Sequence, residues 1–490
     1  MRKSGILLAV SSLPSKYGIG TLGKSAYDFI DFLKKSGQYY WQILPINPTS
    51  FGNSPYQSFS AFAFNPYFID LEELVEQGLL SESECNCYDW GKDKKRVDYS
   101  ALYENRPKIL RKAADRFDIE NNHEYTEFCT KNKFWLDDYA FFMSLKEKYD
   151  MRPLTEFPLA VRIRDEKTLN ELKKECVSRI NYHKITQFLF YRQWIKLKEY
   201  ANHNGVRIIG DIPIYVSADS SDVWTHPELF CVSCDRIPQE VAGCPPDDFS
   251  PDGQLWGNPV YDWSIHKKQG YSWWIKRLKQ ADELFDTVRI DHFRGFYSFY
   301  CIPADAKTAK DGEWKRVDGE SFMESIKKVL PKLNVIAEDL GFITEDIRRR
   351  MASSGFPGMK ILQFAFTGGD NENLPHNYSK NSVVYTGTHD NDTTTGWQIT
   401  APRKDVEFAM DYFDINFTWR LTDAFIKAAL SSVCDTAIIP MQDYLKQGKQ
   451  SRMNIPSTIG DNWIYRIEHG DIDDNLINKI YRQTKLYSRL

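Results

Sequence analysis

Four places in the sequence put a carboxylate at the end of a short apolar run. Asp211 closes RIIGD, Asp291 closes DTVRID, Glu338 and Asp339 close NVIAED, and Asp390 follows His389 at the end of SVVYTGTH. A single carboxylate in such a position is readily a cap or an ion-pair partner. Four directed at one place are costly to pack, because each loses hydration and repels the others, so the pattern points to catalysis. Arg289 and Asp291 stand two residues apart, which in a strand puts both on one face. A guanidinium there favours the ionised carboxylate, the state a nucleophile needs. Glu338 follows Val335, Ile336 and Ala337, an apolar setting that favours a retained proton. Glu338 and Asp339 are adjacent, so only one of them can face the same way as Asp291.

Carboxylates on separate segments meet only if the segments do. The apolar runs are GILLAV (5–10), YYWQILPI (39–46), RIIGDIPIYV (207–216), DTVRIDHF (286–293), NVIAEDLG (334–341), GMKILQFAF (358–366), SVVYTGTH (382–389) and DTAIIPM (435–441). Near-continuous apolar runs of this length suit parallel strands buried on both faces. Helical patterns alternate with them, most clearly over 185–205, where Gly205 marks the stop. Eight strands alternating with helices predict an α/β fold, a (β/α)8 barrel with its active site at the carboxyl ends of the strands. Adjacent strand ends lie about 4.7–4.9 Å apart. Asp291 and Glu338 on neighbouring ends can therefore approach the ~5–5.5 Å separation of a nucleophile and acid/base pair that acts with retention.

The whole chain reads as one decorated barrel. About 50–185 forms a large, mostly helical insertion between the second and third strands, and 217–285 a second excursion over the site. The residues after Met441 are too few for a carboxyl-terminal β-sandwich.

The 490 residues carry a net charge of −4, which offers no attraction to nucleic acid or an anionic membrane. No apolar run is long enough to span a bilayer. The amino-terminal stretch Ile6–Val10 is shorter than the roughly 7–15 residues of a signal peptide core. The nine cysteines are odd in number and scattered, as expected of a reducing, cytoplasmic setting. Cys231 and Cys234 make a single CxxC near Cys244, short of the ligands a zinc site requires. Aromatic residues make up 14% of the chain, enough both for a core and for rings that pack against sugars.

GDIPIYV (210–216), RIDHFRG (289–295), AEDLG (337–341) and GTHDND (387–392) resemble, in this order, the four signature regions of the α-amylase relatives. SSLPSKYGIGTLG (11–23), WQILPINPT (41–49), SPYQSFSAFAFNP (54–66), PPDDFSPDGQLWGNP (245–259) and RMNIPST (452–458) narrow the resemblance to glycoside hydrolase family 77, the amylomaltases or disproportionating enzymes, over about residues 5–467. The resemblance implies a retaining 4-α-glucanotransferase acting on maltooligosaccharides and related α-1,4-glucans, without metal or organic cofactor. It makes Asp291 the nucleophile, Glu338 the general acid/base and Asp390 the carboxylate that stabilises the transition state. By the same match Asp211, Arg289, His389, Tyr56, Ser54, Trp256, Asn258, Phe364 and Asp247 contact substrate or orient the carboxylates. The 243–259 loop, with Phe249 and Trp256, would cover the cleft against water. Asp248 stands where many members carry tyrosine, so one aromatic subsite contact is absent. Two other readings stand beside it, an intracellular hydrolase on the same scaffold and, from a different class, a binding protein. An α-1,4-glucan hydrolase would share every catalytic group, whereas a non-catalytic glucan-binding barrel would have lost at least one of Asp291, Glu338 and Asp390.

Overall fold

In the computed structural model, residues 2–246, 251–341, 343–369 and 371–490 are described. Eight strands form one parallel sheet: β1 (Lys3–Leu7), β2 (Tyr40–Gln42), β3 (Arg207–Ile212), β4 (Thr287–Ile290), β5 (Val335–Ala337), β6 (Gly358–Ile361), β7 (Ser382–Tyr385) and β8 (Thr436–Pro440). Their order is β6-β7-β8-β1-β2-β3-β4-β5, a sheet curled until its two ends face each other. Seven of the eight lie within the apolar runs, and β1 begins two residues ahead of its run. Helices cover the outside of the sheet and side chains fill its interior, so alternation of polar and apolar residues is absent, and β5 and β7 are buried throughout. Across the interior, the Tyr385 hydroxyl of β7 donates to Gln42 Oε1 of β2 at 2.9 Å.

β5 and β6, the ends of the sheet, are joined differently from the other neighbours. The Ala337 N–H donates to the Pro357 carbonyl at 2.9 Å. One step further, the Asp339 side chain takes the place of a strand backbone and accepts the Met359 N–H at 2.7 Å. A Cβ at position 358 would stand 2.2 Å from Asp339 Oδ2, so this contact requires Gly358. Asp339 thus closes the barrel.

Between β2 and β3 the chain forms a helical layer that ends in the 27-residue helix Val177–His203, about 40 Å long. Gly205, at φ 77°, ends it in the left-handed conformation that side chains disfavour. This helix fixes the loop after β2 with two buried glutamines. Gln187 accepts from Phe64 N–H at 2.7 Å and donates to its carbonyl at 2.9 Å, and Gln193 does the same for Asp70 at 2.7 and 3.2 Å.

A second sheet was absent from the sequence expectations. Gln254–Pro259, Glu240–Cys244, Ser298–Pro303 and Glu313–Arg316 pair antiparallel in that order. Two strands come from the segment between β3 and β4 and two from the segment between β4 and β5. Val241, Tyr300, Ile302 and Ala309 form its own small core. Beyond β8 the described residues form helices, including Asp474–Leu486, and no strand. All nine cysteines are free thiols. Among the described residues no helix is long and apolar enough to cross a membrane.

Candidate active site

The carboxyl ends of β3 and β4 carry a buried charge chain. Asp211 and Arg289 are register partners on these adjacent strands. The Arg289 side chain is 3% exposed, and its Nη1 donates to both oxygens of the fully buried Asp211 carboxylate at 2.8 and 2.7 Å. Its Nη2 donates to Asp291 Oδ1 at 3.0 Å. Two acids therefore share one cation, and Asp211 takes the larger part. Asp291 keeps 29% of its side chain exposed. Arg289 does favour the ionised form of Asp291, as expected, but it does not set the balance alone. Burial, with the charges of Asp211 and Asp390, outweighs Arg289 and raises Asp291 to about 6, so it remains ionised at neutral pH.

Glu338, at the end of β5, is fastened by both oxygens. Oε2 accepts the His292 N–H and Oε1 the Leu340 N–H, each at 2.7 Å. The first donor is the peptide N–H between Asp291 and His292, so the backbone of one acid holds the carboxyl of the other. His292 reaches this arrangement with φ 50°, in the left-handed region where a side chain is strained. Burial and then Asp291 push Glu338 up to about 8, against the two N–H donors and Arg289. The two carboxyls divide the labour: across neutral pH one is charged and the other holds a proton.

The third carboxylate stands after β7. Asp390 is 44% exposed and meets His389 Nε2 at 3.3 Å. Asn454 Nδ2 donates to Asp390 Oδ1 at 2.6 Å, and Arg452 to the Asp390 carbonyl at 2.6 Å. Burial would raise Asp390, but His389 and Asn454 hold it far below the ordinary carboxylate range. In return Asp390 raises the buried His389 despite the opposing effect of its burial. Tyr56 stacks on the His389 ring, centroids 5.1 Å apart, and donates from its hydroxyl to Asp211 at 2.7 Å. Trp463 packs against both rings at 5.7 and 6.0 Å, from a backbone at φ 66°. Asp211, Arg289, Asp291, Tyr56, His389 and Asp390 thus form one connected network at the strand ends.

The remaining candidates lie around it. Ser54 shapes the turn before Tyr56, its hydroxyl accepting the Tyr56 N–H at 3.2 Å. Asn258, buried, donates to the Val216 carbonyl at 2.8 Å and accepts from Gln57 at 3.0 Å, tying the loop after β3 to the one after β2. Trp256, in the strand Gln254–Pro259, sets its ring edge-on to His292 at 5.0 Å. Phe364 is exposed at the end of β6. Asp247 lies outside the described residues, as do Asp248 and Phe249.

Sequence reasoning missed His292, Arg452, Asn454 and Trp463. Arg452 and Asn454 stood in the segment RMNIPST, but only the fold brings that segment under Asp390.

A parallel eight-stranded barrel whose rim holds an ionised carboxylate beside a carboxyl that keeps its proton is the architecture of enzymes that act on glycosidic bonds. Residues 8–472 match glycoside hydrolase family 77, described as 4-alpha-glucanotransferase, and the chain belongs to that family. It is 45% identical to a 4-alpha-glucanotransferase of Clostridium butyricum over 98% of this chain and 99% of the relative. It is 44% identical to one from Thermus thermophilus over 96% of each. An amylomaltase structure from Streptococcus agalactiae, in complex with acarbose, superposes over the whole of both chains with a TM-score of 0.97 at 42% identity. The amylomaltase of Corynebacterium glutamicum, 16% identical with a TM-score of 0.79 over all of this chain and 75% of that one, shares the fold.

Proposed function

We propose that this chain is a cytoplasmic 4-α-glucanotransferase that disproportionates α-1,4-glucans by a retaining double displacement, with Asp291 as nucleophile, Glu338 as acid/base and Asp390 as stabiliser of the transition state. The carrying observation is the pairing of the two carboxyls at adjacent strand ends, Glu338 held by the N–H of the residue after Asp291, where burial raises Glu338 further than Asp291. Asp291 attacks the anomeric carbon as Glu338 gives its proton to the departing glycosidic oxygen. A covalent glycosyl-enzyme and a free glucan result. Glu338, now ionised, takes the proton of an acceptor 4-OH, whose oxygen displaces Asp291 with overall retention. Positive charge gathers on the sugar ring at each transition state. Asp390, held ionised and pinned by Asn454, faces that charge without having to reorganise. His389 and Tyr56 supply donors and acceptors for sugar hydroxyls, the buried Asp211 orients Arg289 and Tyr56, and Trp256, Asn258, Ser54 and Phe364 line the flanking subsites. The absence of paired cysteines fits a reducing compartment.

The test is incubation of the purified protein with maltotriose alone, with products resolved by length. Transfer yields longer oligosaccharides together with shorter sugars at constant total reducing ends. Rising reducing ends without longer products would make the protein a hydrolase. A folded protein that leaves maltotriose untouched would reject catalysis on this substrate.

A further inference from the structure

We propose that Phe417 and Trp419 form a second α-glucan binding platform on the rim of the barrel, outside the cleft, that holds a distal stretch of a long substrate; this rests on the functional reading above. The two rings lie nearly parallel, with centroids 6.2 Å apart and planes inclined by 27°. They are 56% and 61% exposed, and the whole run Asn416–Arg420 is exposed. The Arg420 guanidinium, 5.1 Å from the Trp419 ring, restrains the indole.

Topology places this pair on the same face as the catalytic carboxyls. The helix Leu421–Ser431 runs back along the barrel and leads into the start of β8, so its first turn lies at the carboxyl ends of the strands. Side chains agree. Asp423 binds Lys446, which follows the carboxyl end of β8, and the Thr422 hydroxyl meets that of Thr395 at 3.0 Å. Thr395 lies five residues beyond Asp390. From Asp390 to the platform the path therefore runs across one helical contact, on the barrel face that carries the carboxyls.

The chemistry selects a neutral sugar polymer. Flat ring faces match the C–H faces of pyranoses, and exposed Asn416 and Thr418 offer hydrogen bonds to hydroxyls at the edge. A second copy of the chain fits less well. Two rings among exposed polar residues fall far short of the ~800 Å² per partner of a stable protein interface.

The experiment compares the full-length chain with its F417A/W419A variant. Maltotriose, which the proposal confines to the cleft, should give kcat/KM within about twofold of wild type, which also shows that the variant is folded. KM for long amylose should rise about tenfold, and retardation in native gels containing glycogen should weaken correspondingly. Wild-type values for amylose and glycogen in the variant would overturn the proposal. So would an equal loss on maltotriose, since the rings would then act through the cleft, or a dimer seen by light scattering that the substitutions dissociate. A wild-type protein that binds glycogen through these rings but does not convert maltotriose would instead reject the functional reading.

Discussion

Replacing Glu338 by glutamine separates the proton from the rest of the site. Both Glu338 oxygens accept backbone N–H groups, from His292 and Leu340. A glutamine amide can satisfy only one of them, so the substitution leaves an orphaned donor, at a cost of about 1–3 kcal/mol in stability. The kinetic loss should be larger. General acid–base catalysis contributes roughly 10²–10⁴-fold, or about 3–5 kcal/mol, and transfer from maltotriose in E338Q should fall by that factor. The assay then changes the leaving group. Fluoride departs from an α-maltosyl fluoride without being protonated, so E338Q should retain the first burst of fluoride release. It should then stall, because no base deprotonates the sugar acceptor, and a maltosyl adduct on Asp291 should appear as added mass. In wild type kcat/KM should fall on the acid side near pH 6, as Asp291 gains a proton, and on the alkaline side near pH 8, as Glu338 loses one. The alkaline limb should vanish from the E338Q burst. Maltotriose transfer within tenfold of wild type, or a folded E338Q with no fluoride burst, would refute the assignment.

Three other outcomes are expected. N454A removes the 2.6 Å bond that pins Asp390, a charge-assisted contact worth about 1.5–3 kcal/mol, and kcat on maltotriose should drop about 10–100-fold in a folded enzyme; an unchanged kcat would remove Asn454 from the machinery. D339A orphans the Met359 N–H and should cost about 1–3 kcal/mol in urea unfolding, largely recovered by D339N, whose amide oxygen can still accept; equal stability of D339A and wild type would contradict the closing role. Stability should also depend on pH through Glu338. Its folded pKa lies above the ordinary value, so the folded state keeps the proton longer and stability declines as pH rises from about 4.5 to about 8. The decline amounts to roughly 1.4 kcal/mol for each pH unit crossed between those limits, and E338Q should not show it above about pH 6, where Asp291, also raised, has lost its proton. A fall in the stability of E338Q as steep as that of wild type between about pH 6 and pH 9 would exclude Glu338 as the source.

The barrel was legible because parallel strands buried on both faces leave an unmistakable apolar imprint, such as VVY before Thr386 or VIA before Glu338. The carboxylates stood out because they interrupt that imprint at its carboxyl end. The antiparallel sheet left no comparable mark. EVAGC contains a glycine, EWKR is largely exposed, and the central pairing, of Glu240–Cys244 with Ser298–Pro303, joins segments far apart in the chain. Asn454 was invisible for another reason: nothing local shows that a polar residue 64 positions after Asp390 will touch it. The electrostatics of Asp291 were half legible. The i, i+2 spacing reveals Arg289 but not that Asp211, on the next strand, accepts two of its bonds.

The seam between β5 and β6 makes the strand that carries Glu338 the loosest stave of the barrel. β5 is three residues long, paired by a full ladder to β4 alone and hooked to β6 by one main-chain bond and the Asp339 side chain. On warming, such a stave should loosen first, swinging Glu338 away from Asp291 while the other seven strands still hold. The protein would then fall silent at a temperature where it is still folded, and recover on cooling. Its working limit would be set by one carboxylate hook rather than by the bulk of its core.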